Sequence, residues 1–199
     1  MGRLRFAHPA KTGFCQDTET LVLSIMNAPI GLFYGSSTCY TEMTAEKIRE
    51  RIGADWIDIH NVADGDIALA EQYDFLIFGI PTWDYGELQE DWENIWDQLA
   101  QLSLQGKTAA LYGQGDQEGY PQWYQDALGY LHAQLLACGA RLVGYWPAEG
   151  YEFEESKGLT DDGSHFVGLA LDDENEFDLS EGRLDKWCAQ VMREFGLQP

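Results

Sequence analysis

From residue 26 onward, apolar and polar positions alternate between two rhythms. Short apolar runs occupy Ile30–Tyr34, Trp56–His60, Phe75–Ile80, Thr108–Tyr112 and Leu142–Trp146, and these predict five strands. Between them lie stretches whose apolar residues recur every three or four positions. These predict amphipathic helices near Thr41–Ile52, Glu90–Leu102, Trp123–Ala137 and Ser180–Phe195. Inward faces are marked by Ile95, Trp96 and Leu99, by Leu128, Leu131 and Leu135, and by Leu184, Trp187, Cys188, Val191 and Phe195. Phe75–Ile80 is apolar throughout, as a strand covered on both faces must be. Strands separated by helices give an α/β fold class: a parallel sheet with helices on both sides, in three layers.

Two segments break this rhythm. After the fifth strand, Gly150-Tyr151-Glu152-Phe153-Glu154-Glu155-Ser156 runs on to His165, and a second apolar run, Phe166–Leu171, follows. An insertion that splits the last strand is expected, with the acidic stretch Asp172 to Asp178 behind it; a partner-docking surface and a solvated excursion both account for it. At the other end, residues 1–25 are interrupted by Pro9 and Gly13, and their one apolar cluster is Leu21-Val22-Leu23. The expected organisation is one domain over residues 26–199, with residues 1–25 an extension that is non-native or without fixed structure and Met26 the true start. An intact mass retaining Met1 or Gly2 in the natively expressed protein refutes that start.

Composition narrows the partners. At 199 residues and 45% hydrophobic, the chain is long enough for one well-buried domain. A formal charge of −22 repels nucleic acid and anionic membrane and suits a basic protein surface, although an acidic surface also serves solubility alone. Cys15, Cys39, Cys138 and Cys188 show neither metal spacing nor a disulfide framework, and His8, His60, His132 and His165 show no metal spacing. No apolar run approaches the roughly 18 residues of a membrane span, and no signal-peptide core is present, so a cytoplasmic monomer is the expectation.

The candidate chemistry lies where predicted strands end. Gly35-Ser36-Ser37-Thr38-Cys39-Tyr40-Thr41-Glu42 joins the first strand to the first helix. Hydroxyls at Ser36, Ser37, Thr38 and Thr41, with the free N–H groups of a helix start, suit a phosphate held without Lys or Arg. Ordinary helix capping explains the same residue types. The run lacks the Gly-Lys-Ser/Thr of a Walker A loop and the three glycines of a dinucleotide fingerprint. Two further loops carry aromatics and glycines: Pro81-Thr82-Trp83-Asp84-Tyr85-Gly86 and Gly115-Asp116-Gln117-Glu118-Gly119-Tyr120. In an open parallel sheet these three loops converge at the carboxyl ends of the strands, and Trp83 and Tyr120 then make a slot for a flat ring.

Together these segments resemble the flavodoxin family, its long-chain type, from Ile30 to the C-terminus. The phosphate loop matches from Ser36 and departs at Cys39, where the family has Gly. The resemblance implies strand order 2-1-3-4-5 and noncovalent FMN. The phosphate would sit on Ser36, Ser37, Thr38, Cys39, Tyr40 and Thr41, with Trp83 over the inner ring face, Tyr120 over the outer, and Pro81 and Thr82 also among the cofactor-binding residues. Gly115, Asp116 and Gly119 would lie near the pyrimidine edge. The Asp84-Tyr85-Gly86 peptide would turn a carbonyl to flavin N5–H after one-electron reduction. A second electron would add charge beside the phosphate, Asp84 and Asp116 in a slot of low dielectric, and is disfavoured. The implied function is a low-potential one-electron carrier, not an enzyme, fed by an NADPH-dependent flavoprotein reductase and serving cytoplasmic acceptors. The alternative is a two-electron FMN-dependent quinone reductase, which needs the open ring face that Tyr120 would cover. At Cys39, a positive φ would add strain, and its thiol is a candidate redox sensor.

Overall fold

Every residue of the first predicted strand is buried, and side chains alternate between two cores on opposite faces of one sheet. The computed structural model describes residues 28–197, so the extension over 1–25 and Cys15 lie outside the described residues. The main elements are β1 (Ile30–Tyr34), α1 (Tyr40–Ile52), β2 (Ile57–Asn61), β3 (Phe75–Trp83), β4 (Glu87–Leu88), α2 (Glu90–Leu99) and β5 (Thr108–Gln114). There follow α3 (Asp126–Ala137), β6 (Arg141–Val143), β7 (Trp146–Pro147), β8 (His165–Phe166), β9 (Leu169–Leu171) and α4 (Phe177–Phe195). A short 3-10 helix, Ile67–Gln72, precedes β3.

The central strands run parallel in the order β2-β1-β3-β5-β6, and the two-residue β4 adds to β3 antiparallel. Phe33, Phe78 and Leu111 sit in register across β1, β3 and β5 and face α2 and α3. Their neighbours Leu32, Ile77 and Ala110 face α1 and α4, where Ile48, Trp187 and Val191 cover them. The period of two in the strands and of 3.6 in the helices thus closes three layers.

The fifth predicted strand, Leu142–Trp146, is corrected by the structure. Strand β6 ends at Val143, and Gly144 adopts φ 78, which turns the chain off the sheet. Trp187 Nε1 donates to the Gly144 carbonyl at 2.8 Å and fixes the exit. Trp146–Pro147 then pairs antiparallel with His165–Phe166 in a separate ribbon, and β9 returns beside Tyr112–Gln114 of β5. One strand position is therefore filled from two segments, β6 beside the lower half of β5 and β9 beside the upper. The insertion between them builds its own small core from Tyr124, Phe166, Tyr151 and Phe153.

Helix ends shift for local reasons. The third helix begins at Asp126, because Gln125 lies in the left-handed region at φ 61. Its buried amide donates to the carbonyls of Gly113, at 3.3 Å, and Leu171, at 3.0 Å, lashing β5 to β9. The second helix stops at Leu99, and the fourth starts at Phe177, three residues before Ser180.

Candidate functional site

The first loop leaves β1 at Tyr34 and enters α1 through Cys39, whose φ of 70 is left-handed. The first helical N–H to bond back is that of Met43, to the Cys39 carbonyl at 2.8 Å. The N–H groups of Tyr40, Thr41 and Glu42 therefore have no intrahelical partner and are free for an anion. A left-handed residue next to a helix start also turns successive N–H groups to one side, the concave arrangement that binds anions. Ser36 Oγ is buried and has no hydrogen-bond partner among the described residues. A buried hydroxyl left unsatisfied is costly, so this atom fits a site whose ligand completes it.

Behind the loop, Tyr112 is wholly buried and donates its hydroxyl to the Thr41 carbonyl at 2.9 Å. Burial pushes the Tyr112 phenol well up, so it remains a donor. Gln114 continues the strap from β5, donating to Thr44 Oγ1 at 3.0 Å and to Asp173 Oδ2 at 2.9 Å.

The second loop is shorter than the sequence suggests, because β3 continues through Pro81 and Thr82 to Trp83. Trp83 thus projects from a strand end, with Thr82 Oγ1 anchored by the N–H of Ala127 at 3.2 Å. Asp84, Tyr85 and Gly86 make the hairpin turn into β4, closed by the Gly86 N–H donating to the Trp83 carbonyl at 3.0 Å. Two of the three have positive φ, Asp84 at 41 and Gly86 at 89. At Gly86 a Cβ would lie 2.8 Å from Asp126 Oδ2, so the close approach and the backbone both require glycine. Tyr85 is 68% exposed and stands edge-on to Trp123, outside the cavity described below.

The third loop is held by its own aspartate. Asp116 Oδ1 accepts from the N–H groups of Glu118 at 3.1 Å and Gly119 at 2.6 Å, and from Asn175 Nδ2 at 2.8 Å. The buried Asp172 accepts from the Gln117 N–H at 3.0 Å. Asp116 therefore shapes the loop that lifts Tyr120, which is 38% exposed.

The three loops enclose a cavity of about 240 Å³. Thr38, Tyr40 and Thr41 line one end, Pro81, Thr82, Trp83 and Asp84 a second side, and Gly115, Asp116 and Tyr120 a third. Ten of the expected residues thus meet there. Ser36, Ser37 and Cys39 belong to the same loop but do not line the cavity, and Gly86 and Gly119 shape turns without facing it. Two lining residues were not foreseen, Gln114 and Glu174. Gln114 had a signal, a lone amide at the end of an apolar strand; Glu174 is hidden in its acidic run. Among the described residues, the charged lining side chains, Asp84, Asp116 and Glu174, are all acidic.

A larger cleft of about 760 Å³ lies under the insertion, away from these loops. Its polar groups satisfy one another: His132 Nε2 meets Tyr145 Oη at 3.0 Å, Thr160 and Ser164 donate to Asp162, and Lys157 pairs with Asp126. Those bonds hold Asp162 down to about 2. Size alone does not make that cleft the site. Of the thiols described, Cys39 is exposed and Cys138 and Cys188 are buried, with burial pushing Cys188 up to about 12.

Comparison with known proteins shows the family. The flavodoxin family pattern matches residues 32–187. Flavodoxin 2 of Escherichia coli (strain K12) is 59% identical over 165 residues, covering 83% of this chain and 95% of its own length. The flavodoxin of Synechococcus elongatus is 46% identical over 171 residues, covering 85% and 99%. Among solved structures, Fusobacterium nucleatum flavodoxin bound to flavin mononucleotide superposes with a TM-score of 0.79 at 30% identity, covering 83% of this chain and 98% of that one. With the family pattern spanning all three loops and such relatives matched over nearly their whole length, this chain belongs to the flavodoxin family.

Proposed function

We propose that this protein carries single electrons on a noncovalently bound FMN seated in the three-loop cavity. The observation that carries the reading is the convergence of free helix-start N–H groups, hydroxyls and two loop aromatics on one pocket whose charged residues are all acidic. The unpartnered hydroxyl of Ser36 fits a phosphate oxygen as its acceptor. When bound, the flavin supplies the redox chemistry.

The chain sets the conditions for it. Ser36 to Thr41 hold the phosphate with neutral donors and leave its charge largely in place, since no Lys or Arg stands in the loop. Trp83 and Tyr120, both in the cavity lining, would flank the ring and exclude water from its faces. Asp84, Asp116 and Glu174 line the same cavity and would set negative charge around it, which would disfavour a second added electron. The Asp84-Tyr85-Gly86 turn offers peptide carbonyls at the rim, and Gly86 leaves that backbone free to turn.

The family resemblance supplies the partners, and charge supports them. A net −22 suits the basic surface of an NADPH-dependent reductase and of acceptor enzymes, with encounters that weaken as salt rises. A cytoplasmic location suits Cys39, Cys138 and Cys188, which are free among the described residues. Among the described residues no helix is long and apolar enough to cross a membrane.

Titrating apoprotein with FMN and following flavin fluorescence tests the reading. Quenching at one equivalent is expected, with affinity falling at least about tenfold in Trp83→Ala and in Tyr120→Ala, the loss of one desolvated aromatic contact. Unquenched fluorescence in the parent protein overturns it.

A further inference from the structure

Gln89 stands between the ring loops and the phosphate loop, and its side chain is spent on the latter. It occupies the position before α2 but caps nothing on its own helix. The residue is 2% exposed, and its amide reaches across to Ser37, 52 positions earlier. Nε2 donates to Ser37 Oγ at 3.1 Å and to Asp91 Oδ2 at 2.6 Å. The Asp91 contact settles which end of the amide is which: a carboxylate only accepts, so nitrogen must face it. Both N–H bonds of Gln89 are then used, one on Asp91 and one on Ser37.

The consequence falls on a single proton. Ser37 Oγ already accepts from Gln89, so its own O–H must point elsewhere, and Ser37 is exposed. A hydroxyl fixed in this sense is a donor to an anion. Packing keeps the amide there. A Cβ on Gly35 would lie 2.5 Å from Gln89 Oε1 and 2.7 Å from Trp92 Cδ1, and Trp92 is locked by its Nε1 donating to the Gly79 carbonyl at 3.0 Å.

We infer that Gln89 is a positioning residue of the phosphate loop: oriented by Asp91, it holds the Ser37 hydroxyl as a proton donor to the cofactor's phosphate. This rests on the FMN reading above and adds to it a residue outside the cavity lining. It links the segment that carries Trp83 to the loop that carries Ser37, so phosphate affinity depends on a side chain contributed by the ring-binding side.

The test compares FMN with riboflavin, which has the same ring system and no phosphate, using apoprotein of the parent, Gln89→Met, Ser37→Ala and the double variant. Methionine keeps the length of the side chain and lacks the donor. Gln89→Met should weaken FMN about three- to tenfold, as expected for one lost orienting hydrogen bond, and leave riboflavin unchanged. In the Ser37→Ala background the same substitution should change FMN affinity by less than about twofold, because the hydroxyl it orients is gone. Equal weakening of both ligands, no weakening of FMN, or a full loss persisting without Ser37 overturns the inference. Inorganic phosphate provides a flavin-free arm: it should raise the apoprotein's thermal midpoint, and by less in Gln89→Met. If the parent bound phosphate in this Gln89-dependent way but not FMN, the cofactor reading would fail and the Gln89–Ser37 arrangement would stand as an anion site. If phosphate stabilised the parent and Gln89→Met equally, the arrangement would fail whatever FMN does.

Discussion

Replacing Cys39 with glycine should make the apoprotein more stable. Cys39 holds φ 70 and ψ −13, its thiol is exposed, and its side chain makes no capping hydrogen bond. Substitution therefore removes no buried contact. An L-residue in the left-handed region costs about 1–2 kcal/mol, which glycine does not incur. Glycine in turn gives the unfolded chain more freedom, worth about 0.5–1 kcal/mol in the opposite sense. The net expectation is a gain of about 0.5–1 kcal/mol. Urea unfolding of apoprotein reads it: with a typical slope of about 2 kcal/mol per molar, the midpoint rises by about 0.3–0.5 M at unchanged slope. Cys39→Ala is the control, since it removes the thiol and keeps the Cβ. Its midpoint should move by less than about 0.2 M, below the resolution of the strain argument. FMN affinity should survive Cys39→Gly, because the concave set of N–H groups depends on the left-handed conformation and not on sulfur. A midpoint that falls, or rises equally in the alanine control, would refute the assignment of strain to this residue.

Three further outcomes follow from the same geometry. Gly86→Ala must accommodate a Cβ 2.8 Å from Asp126 Oδ2 at φ 89, and thermal unfolding should show a loss of about 1–3 kcal/mol; an unchanged midpoint contradicts the close packing. Lys157→Met leaves the buried Asp126 carboxylate without its cation, but the lysine is half-exposed and screened, so urea unfolding should show a loss of only about 1–2 kcal/mol. Burial holds the imidazoles of His60 and His132 below their ordinary 6.5, so the unfolded chain binds protons that the folded chain refuses. Their contribution is complete above 6.5 and is lost as pH falls through that value toward the lower folded ones, and the thermal midpoint should drop between about pH 7.5 and pH 5.5. His132→Phe should shrink that drop, and an unaltered drop would show that His132 does not contribute.

Much of this was legible in the chain because its signals were local. Ile30–Tyr34 was bounded by Pro29 and Gly35, and the structure returns the same five residues as β1. The three loops were found because each follows a strand whose apolar run ends abruptly, and their convergence follows from a parallel sheet. What was missed depended on contacts distant in sequence. The start of α3 was displaced because Gln125 bonds to Gly113 and Leu171, which no helical periodicity reveals. Strand β3 ran on through Pro81, which has no N–H to give; the strand's end there turns antiparallel to β4. The split last strand was visible as two apolar runs, but the turn at Gly144 and the ribbon of Trp146–Pro147 with His165–Phe166 required the insertion to find its own core. Short helical turns with few buried residues, such as Ile67–Gln72, leave too weak a period to read. Glu174 reached the cavity only because β9 and α4 bring the acidic stretch beside the third loop.

The central claim is that the pocket separates two one-electron steps, and an anaerobic, stepwise reduction of the FMN-reconstituted protein followed by visible absorbance tests it most directly. The account predicts a long-wavelength band that rises after the first electron equivalent and falls with the second. Direct bleaching from the oxidised to the colourless spectrum, with no such band, would contradict it and favour a two-electron reaction at this site.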